Sequence, residues 1–411
     1  MTPSAATAST STRPPRISRP RRSPDRRHFS VTAAALAILA AQSTMPSPLF
    51  PLYAEHWGFS PLQVSCVFAA YVLGLLVTLL TFGSLSDHIG RRRVIVLSLL
   101  TAAAAMVVLA LASGFASVIV GRTAQGVAAG LGFGALGAAL LDYAPVRRHD
   151  LVAMVNSGVG PFCQGLGALL TGVLIQWLPH PFQVSYLVAG TLLVAAMLAA
   201  LSLEDKHPRR PGALWSLVPS VALPRHARWQ FLVASGAVCS SWAMAGLYLG
   251  IGPSFMRSLL ELDSPVMAGL AILAVNTTGG ITAALTFRRD TPRVMLAGSL
   301  LLALACVGIV VAVHLVDPAI FFGASVVAGV GFGASFQSGM RTIGTGLAPH
   351  ERGGTLSALY LASYAALGIP TLVGGALIPV IGLEHVVDAY AALVVLMAAT
   401  AALLVARRPR S

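Results

Sequence analysis

Runs of roughly 20 apolar residues, the length at which a helix crosses a bilayer, recur from about residue 30 to residue 406. Inside hydrocarbon a backbone must satisfy its own N–H and C=O groups, so each run can only be a helix. Composition agrees. Of the 411 residues 56% are hydrophobic and 10% charged, with a mean hydropathy of +0.79. Soluble domains carry about 25% charged residues, and too few polar residues remain here to cover them with a water-facing surface. The chain is therefore a polytopic membrane protein, and a soluble enzyme, a DNA-binding protein and a disordered chain are excluded.

The net charge of +13 could suggest nucleic acid, but the 27 basic residues cluster in a few short segments between the apolar runs. That is the pattern of the positive-inside rule, so a lipid bilayer is expected and no nucleic-acid partner. The expected spans are 30–52, 61–82, 94–113, 117–141, 151–177, 183–203, 230–250, 266–287, 294–315, 319–341, 354–377 and 385–406. Arg91–Arg93, Arg147, Arg148, Lys206, Arg209, Arg210, Arg225, Arg228, Arg288, Arg289, Arg293, Arg352, Arg407, Arg408 and Arg410 fall on one side. Glu55, Glu261, Asp263, Asp317 and Glu384 fall on the other, with Arg257 the clear basic exception. Both termini are then cytoplasmic. The near absence of lysine (Lys206 alone) suggests a GC-rich bacterial genome and hence an inner membrane. Arg26-Arg27-His28-Phe29 resembles a twin-arginine signal, but the apolar run after it reads as a retained helix.

Residues 1–29 are rich in Pro, Ser and Arg and read as a disordered cytoplasmic tail. The interval 204–229, charged and Pro-containing, reads as a cytoplasmic linker between six-helix halves at 30–203 and 230–406, with 407–411 a second tail. An internal repeat supports the division. Ala129-Gly-Leu-Gly-Phe-Gly-Ala135 matches Ala328-Gly-Val-Gly-Phe-Gly-Ala334 at an offset of 199 residues, and parallel repeats are a recurring transporter plan. Cys66, Cys163, Cys239 and Cys306 sit in apolar runs without C-x-x-C spacing, so neither a disulfide framework nor a metal site is indicated.

Gly83-Ser-Leu-Ser-Asp87-His88-Ile-Gly90-Arg91-Arg92-Arg93 joins the second and third spans on the basic side. Its glycines allow two helix ends to approach, and Asp87 can pair with the arginines. This loop resembles that of the major facilitator superfamily between the same two spans, with His88 in place of a common arginine. The resemblance implies an all-helical fold of twelve transmembrane helices in two pseudo-symmetric halves, a central site and alternating access. It also implies a gating latch in which Arg91 pairs with Asp142 at the end of span four, Asp87 faces the start of span eleven, and the cluster stabilises an outward-open state. The corresponding second-half loop, Phe287-Arg288-Arg289-Asp290, has degenerated.

Two more segments point within that family. Gly121-Arg122-Thr-Ala-Gln125-Gly126 resembles its R-x-x-q-G pattern of span four, found in proton-coupled members. The resemblance assigns proton transfer to Arg122 with Gln125 as helper, and an arginine buried in a membrane helix is costly enough to be functional by default. A shallow arginine could alternatively snorkel to the interface. Gly160-Pro161-Phe-Cys-Gln164-Gly165 resembles in part the glycine–proline signature of the antiporter branch, with Asn156 and Gln164 replacing two glycines; simple helix packing is the alternative.

Polar and aromatic residues within the spans mark a candidate substrate cavity: Gln42, Tyr71, Asn156, Trp242, Tyr248, Asn276, Gln337 and Tyr364. The family lines its cavity with spans one, four, seven and ten, which favours Gln42, Gln125, Trp242 and Gln337. No Asp or Glu lies mid-span, no Walker A sequence is present, and no cofactor, metal site or catalytic triad is expected. The expected function is secondary active transport, and not an enzyme activity. The resemblance favours a monomeric, proton-coupled efflux antiporter of small hydrophobic or neutral compounds. The alternative is an uptake symporter or facilitator for a metabolite such as a sugar or organic acid.

Overall fold

The computed structural model describes residues 26–144, 158–205, 221–345, 347–348 and 351–407, and among these there is no strand. The helices are α1 (Arg26–Trp57), α2 (Pro61–Phe82), α3 (Arg91–Ala110), α4 (Phe115–Asp142), α5 (Gly160–Trp177) and α6 (Pro181–Ala200). They continue as α7 (Arg225–Leu259), α8 (Pro265–Thr286), α9 (Thr291–Leu315), α10 (Pro318–Thr345), α11 (Arg352–Ile381) and α12 (Leu383–Ala406). All but α5 are long and apolar enough to cross a membrane; the described part of that span begins at residue 158, and its α-helix at Gly160. Most helices outrun the expected spans by a few residues, because polar residues at the membrane surface continue the hydrogen-bond ladder without leaving water. Residues 26–29, expected in the tail, are the first turn of α1.

Helix packing repeats between the halves. In the first, α1 packs on α4, α5 and α6, α2 on α4, and α3 on α4 and α6. In the second, α7 packs on α10, α11 and α12, α8 on α10, and α9 on α10 and α12. Two seams join the halves, α5 against α8 and α2 against α11.

Lipid is as apolar as leucine, so these helices gain little by hiding apolar surface from it and associate through close backbone packing at small residues. The repeated heptapeptide supplies this. A Cβ on Gly130 would lie 2.8 Å from the Leu75 carbonyl oxygen of α2, and one on Gly329 2.4 Å from the Val275 carbonyl oxygen of α8. Gly132 faces α3 at Ser98, as Gly331 faces α9 at Gly298 and Leu302. The α5–α8 seam is built likewise: Gly165 abuts Leu273, Gly269 abuts Leu169, and Gly172 abuts Pro265.

Both α1 and α7 are interrupted midway. In α1 the α-helix stops at Thr44, a 3-10 turn follows at Ser47–Leu49, and Phe50–Trp57 resumes the helix. Pro46 and Pro48 lack the N–H that would continue the ladder, so the helix breaks at Met45-Pro46-Ser47-Pro48. In α7 a π-helical turn at Leu247–Ile251 separates Arg228–Gly246 from Gly252–Leu259. Each broken helix thus has a main body and a short end segment.

Gly333→Ala, whose Cβ would lie 2.1 Å from the Gly279 carbonyl oxygen, is expected to cost about 1–3 kcal/mol through overpacking. Gly323→Ala in the same helix meets nothing within 4 Å and should be neutral. Thermal unfolding of both variants in detergent checks the contrast.

Candidate functional site

Arg122 is 1% exposed and is the largest fully buried side chain of the described residues. No other Arg, Lys, Asp or Glu among them is buried. It lies seven residues into α4 from Phe115, about 10 Å along the axis, and it does not snorkel. Its Nε donates to the Val67 carbonyl of α2 at 3.3 Å, and Nη1 donates to Gln125 Oε1. The guanidinium carbon stands 4.6 Å from the centre of the Tyr71 ring. Gln125 Nε2 in turn donates to the Gln42 backbone carbonyl at 2.5 Å and to Gln42 Oε1 at 2.7 Å. Gln42 Nε2 returns a bond to the Leu39 carbonyl at 3.0 Å. The charge is held entirely by dipoles and a ring face. Each of these partners is neutral, so solvation comes from fixed donors and acceptors instead of a counter-ion.

The second half is different in kind. At the 199-residue offset Arg122 corresponds to Phe321, which stacks on Tyr248 with ring centres 5.9 Å apart and meets Phe255 edge-on. Tyr248 donates to Ser325 Oγ at 2.8 Å and is 2% exposed, so it belongs to the packed core between α7 and α10 and not to a cavity wall. Trp242 meets Tyr364 edge-on at 4.6 Å and Phe336 at 6.2 Å, and its shielded Nε1 has no hydrogen-bond partner among the described residues. Tyr71 and Tyr364 belong to one apolar cluster that crosses between the halves, against which Trp242 packs. Tyr71, Trp242 and Tyr364 therefore converge. Asn276 turns back to the Ile272 carbonyl of its own helix at 2.9 Å, and Gln337 is half-buried on α10. Asn156 lies outside the described residues.

At the arginine-rich face, Arg91 reaches Asp142 at 2.9 Å and Asp87 at 3.8 Å, forming the cluster expected from the loop. Asp87 is half exposed, and its ion pair among the described residues stays within its own half instead of running to α11. Gly90 has φ +102°, and a Cβ there would meet Asp205 Oδ2 at 2.4 Å. Asp205 Oδ1 accepts from the Arg92 backbone N–H at 3.0 Å, placing a carboxylate at the positive end of α3. Tyr143 beside it donates to the Glu204 carbonyl; burial, then the Asp205 charge, push its phenol up to about 12, which keeps that donor protonated.

Two residues were not singled out for a role in the sequence. Asp142 plus the 199-residue offset is Arg341, which donates to the Phe287 carbonyl at 2.5 Å and the Arg289 carbonyl at 3.1 Å. The degenerate loop is therefore held by an arginine on α10 reaching carbonyls, with the polarity of the first-half pair reversed. Applying the repeat offset beyond the heptapeptide would have found it. At the opposite face Arg257, on the end segment of α7, binds Glu55 on the end segment of α1 at 2.6 Å and Asp263 at 3.6 Å. The signal was its breach of the charge pattern. Close by, Gly250 faces Phe68, and Gly375 of α11 presses on Ser65 and Pro61 of α2. The halves are thus closed against each other at the face remote from the arginine-rich loops.

The Gly160-Pro161 segment opens α5. Gly160 has nothing near a Cβ position, whereas Gly165 is pinned to α8 and Gly167 lies against the Ala41 carbonyl of α1. Its glycines thus pack α5 between α1 and α8.

A family model described as Major Facilitator Superfamily matches residues 32–372. A triacylglyceride transporter of Mycolicibacterium hassiacum is 29% identical over 280 residues, 64% of this chain and 47% of that protein. The multidrug resistance protein MdtL of Klebsiella pneumoniae is 25% identical over 236 residues, 55% of this chain and 58% of that protein. A gallate transporter of Pseudomonas putida is 31% identical over 204 residues, 49% of this chain and 39% of that protein. The chain spans about half the length of the curated relatives it matches. In fold it is similar to a bacterial homologue of the human lysosomal transporter Spinster, solved inward-facing and unoccupied. The TM-score is 0.75 at 13% identity, over 95% of this chain and 100% of that one.

If the Tyr71 ring face holds Arg122, Tyr71→Phe should leave thermal stability nearly unchanged, whereas Tyr71→Leu should lose about 1–2 kcal/mol from the cation–π contact in addition to its packing loss. Equal melting temperatures for the two variants would show that the ring does not carry the charge.

Proposed function

Because the chain belongs to the major facilitator superfamily, whose members are transporters and not enzymes, we propose that it exports small neutral or hydrophobic compounds in exchange for protons by alternating access. The observation that carries this reading is the one buried charged side chain among the described residues. A site whose one buried ion is Arg122, with neutral partners throughout, offers a cationic drug no counter-charge. A neutral lipophile meets no such penalty against the aromatic wall of Tyr71, Tyr364 and Trp242. Arg122 polarises the Gln125–Gln42 chain, which ties the buried charge of α4 to α1. The partial antiporter signature at Gly160, Pro161 and Gly165 and the relative named for multidrug resistance favour export.

The arginine-rich face is cytoplasmic in this proposal, with both termini inside a bacterial inner membrane and a monomer as the working unit. The clasp between Glu55 and Arg257 closes the outer face, and the site communicates with the cytoplasm. The Asp87–Arg91–Asp142 cluster docks on the second half when the protein turns outward. A second reading is uptake of an organic anion, favoured by the same cationic centre and by the gallate-transporting relative.

Inverted vesicles acidified by the host proton pump separate the two. Lumenal alkalinisation on adding lipophilic compounds, absent in Arg122→Ala, is the expected result. Silence with every lipophile, together with accumulation of a radiolabelled aromatic acid by whole cells, would replace export by uptake. Glu55→Arg should weaken closure of the outer face and slow turnover, and the charge-reversed pair Glu55→Arg/Arg257→Glu should restore part of the rate. Accessibility of a cysteine placed at Ser65, measured with an impermeant thiol reagent in whole cells, should rise and fall in step.

A further inference from the structure

The chain that leaves α6 is fastened to the first half at three successive residues. Leu203 is buried in its apolar core. The Glu204 carbonyl accepts from Tyr143, the residue that follows Asp142 at the end of α4. Asp205 Oδ1 accepts from the backbone N–H of Arg92, the residue that follows Arg91 at the start of α3. The last two bonds thus hold the chain neighbours of both members of the 2.9 Å Arg91–Asp142 pair.

The start of α3 needs an acceptor from elsewhere. An N-cap Ser, Thr, Asp or Asn takes the N–H of the second or third helical residue, and Arg92 is the second. The N-cap here is Gly90, which has no side chain to offer. Nor can a capping residue replace it, because φ is +102° and a Cβ would lie 2.4 Å from Asp205 Oδ2. Asp205, 113 residues beyond Arg92, supplies the missing oxygen and occupies the space that a side chain at residue 90 would take. Gly90 is also the hinge between the short helical turn Leu85–Ile89, which carries Asp87, and α3, which carries Arg91. A carboxylate seated in that hinge removes the freedom with which Arg91 could swing away from Asp142.

We propose that Asp205 is a positioning residue of the cytoplasmic latch: by capping α3 at Arg92 and filling the Gly90 hinge, it aims Arg91 at Asp142. The inference rests on the latch role given above to Asp87, Arg91 and Asp142, and extends the latch to the chain leaving α6. The operative property is an acceptor oxygen at a fixed place, which an asparagine also provides and an alanine does not.

Residues that act through one another lose additivity, and Asp205 is exposed, so its variants make little demand on the core. Melting temperatures of the full chain in detergent are the first test. The loss caused by Asp142→Ala should shrink at least twofold in an Asp205→Ala background, because Arg91 is already misplaced there. In an Asp205→Asn background it should keep its native size. An equal loss in all three backgrounds would overturn the proposal and leave Asp205 a cap for α3 alone; Asp205→Asn behaving as Asp205→Ala would overturn the acceptor geometry. The second test reads the gate, by labelling of a cysteine at Ser65 with an impermeant thiol reagent in whole cells. Asp142→Ala and Asp205→Ala should each lower labelling several-fold, Asp205→Asn should not, and the Asp142→Ala/Asp205→Ala pair should fall no further than Asp142→Ala. Lower labelling in Asp142→Ala alone would remove Asp205 from the gate. Coupled melting temperatures with native labelling in both alanine variants would instead dismiss the latch reading and leave the positioning intact.

Discussion

Everything in this protein depends on how closely its helices can approach. In a bilayer there is no hydrophobic gain in hiding leucine from lipid, so association relies on van der Waals contact between backbones and on the few polar bonds that cross between helices. The repeated Gly-x-Gly-x-Gly stretch brings α4 against α2 and α3, and α10 against α8 and α9, by the same geometry. It is the element the two halves share most faithfully. The glycines of α5 and α8 then extend that mode of contact across the division between halves.

That common frame carries unlike contents. Where α4 holds Arg122, α10 holds Phe321. The first half is organised around a charge dispersed over a carbonyl, an amide and a ring; the second around stacked aromatics and the Tyr248–Ser325 bond. Removing an arginine from water costs several kcal/mol even after relaxation, and most of its compensation here comes from groups that also hold α1, α2 and α4 together. The charge and the packing of the first half are accordingly one problem with one solution. The second half supplies an apolar wall without such a constraint.

Much of this was legible in the sequence because membrane helices follow simple rules. Span length fixes the number of helices, and charge asymmetry sorts the loops. Arg91 and Asp142 were paired through the resemblance, and the contact exists. Gln42 and Gln125 were both picked as polar residues inside apolar helices, but nothing in a linear pattern says that they bond to each other instead of facing an open cavity. Tyr248 shows the same limit, since a tyrosine packed on a phenylalanine has the sequence signature of one lining a path. The Glu55–Arg257 contact was hidden for a different reason. Its members lie in different halves and meet only through tertiary closure, although Arg257 had already broken the rule that every other clear basic residue obeyed.

The exposure of that contact has a consequence for how the ion pairs of the two faces respond to salt. Arg257 and Glu55 are 37% and 57% exposed, whereas Arg91 and Asp142 are 23% and 14% exposed. An exposed ion pair is worth about 0–1 kcal/mol and is screened over roughly 8 Å at physiological ionic strength. A sheltered pair is screened much less. Salt at the Glu55–Arg257 face therefore weakens a contact between the halves, whereas salt at the arginine-rich face leaves the Arg91–Asp142 pair within the first half nearly unchanged.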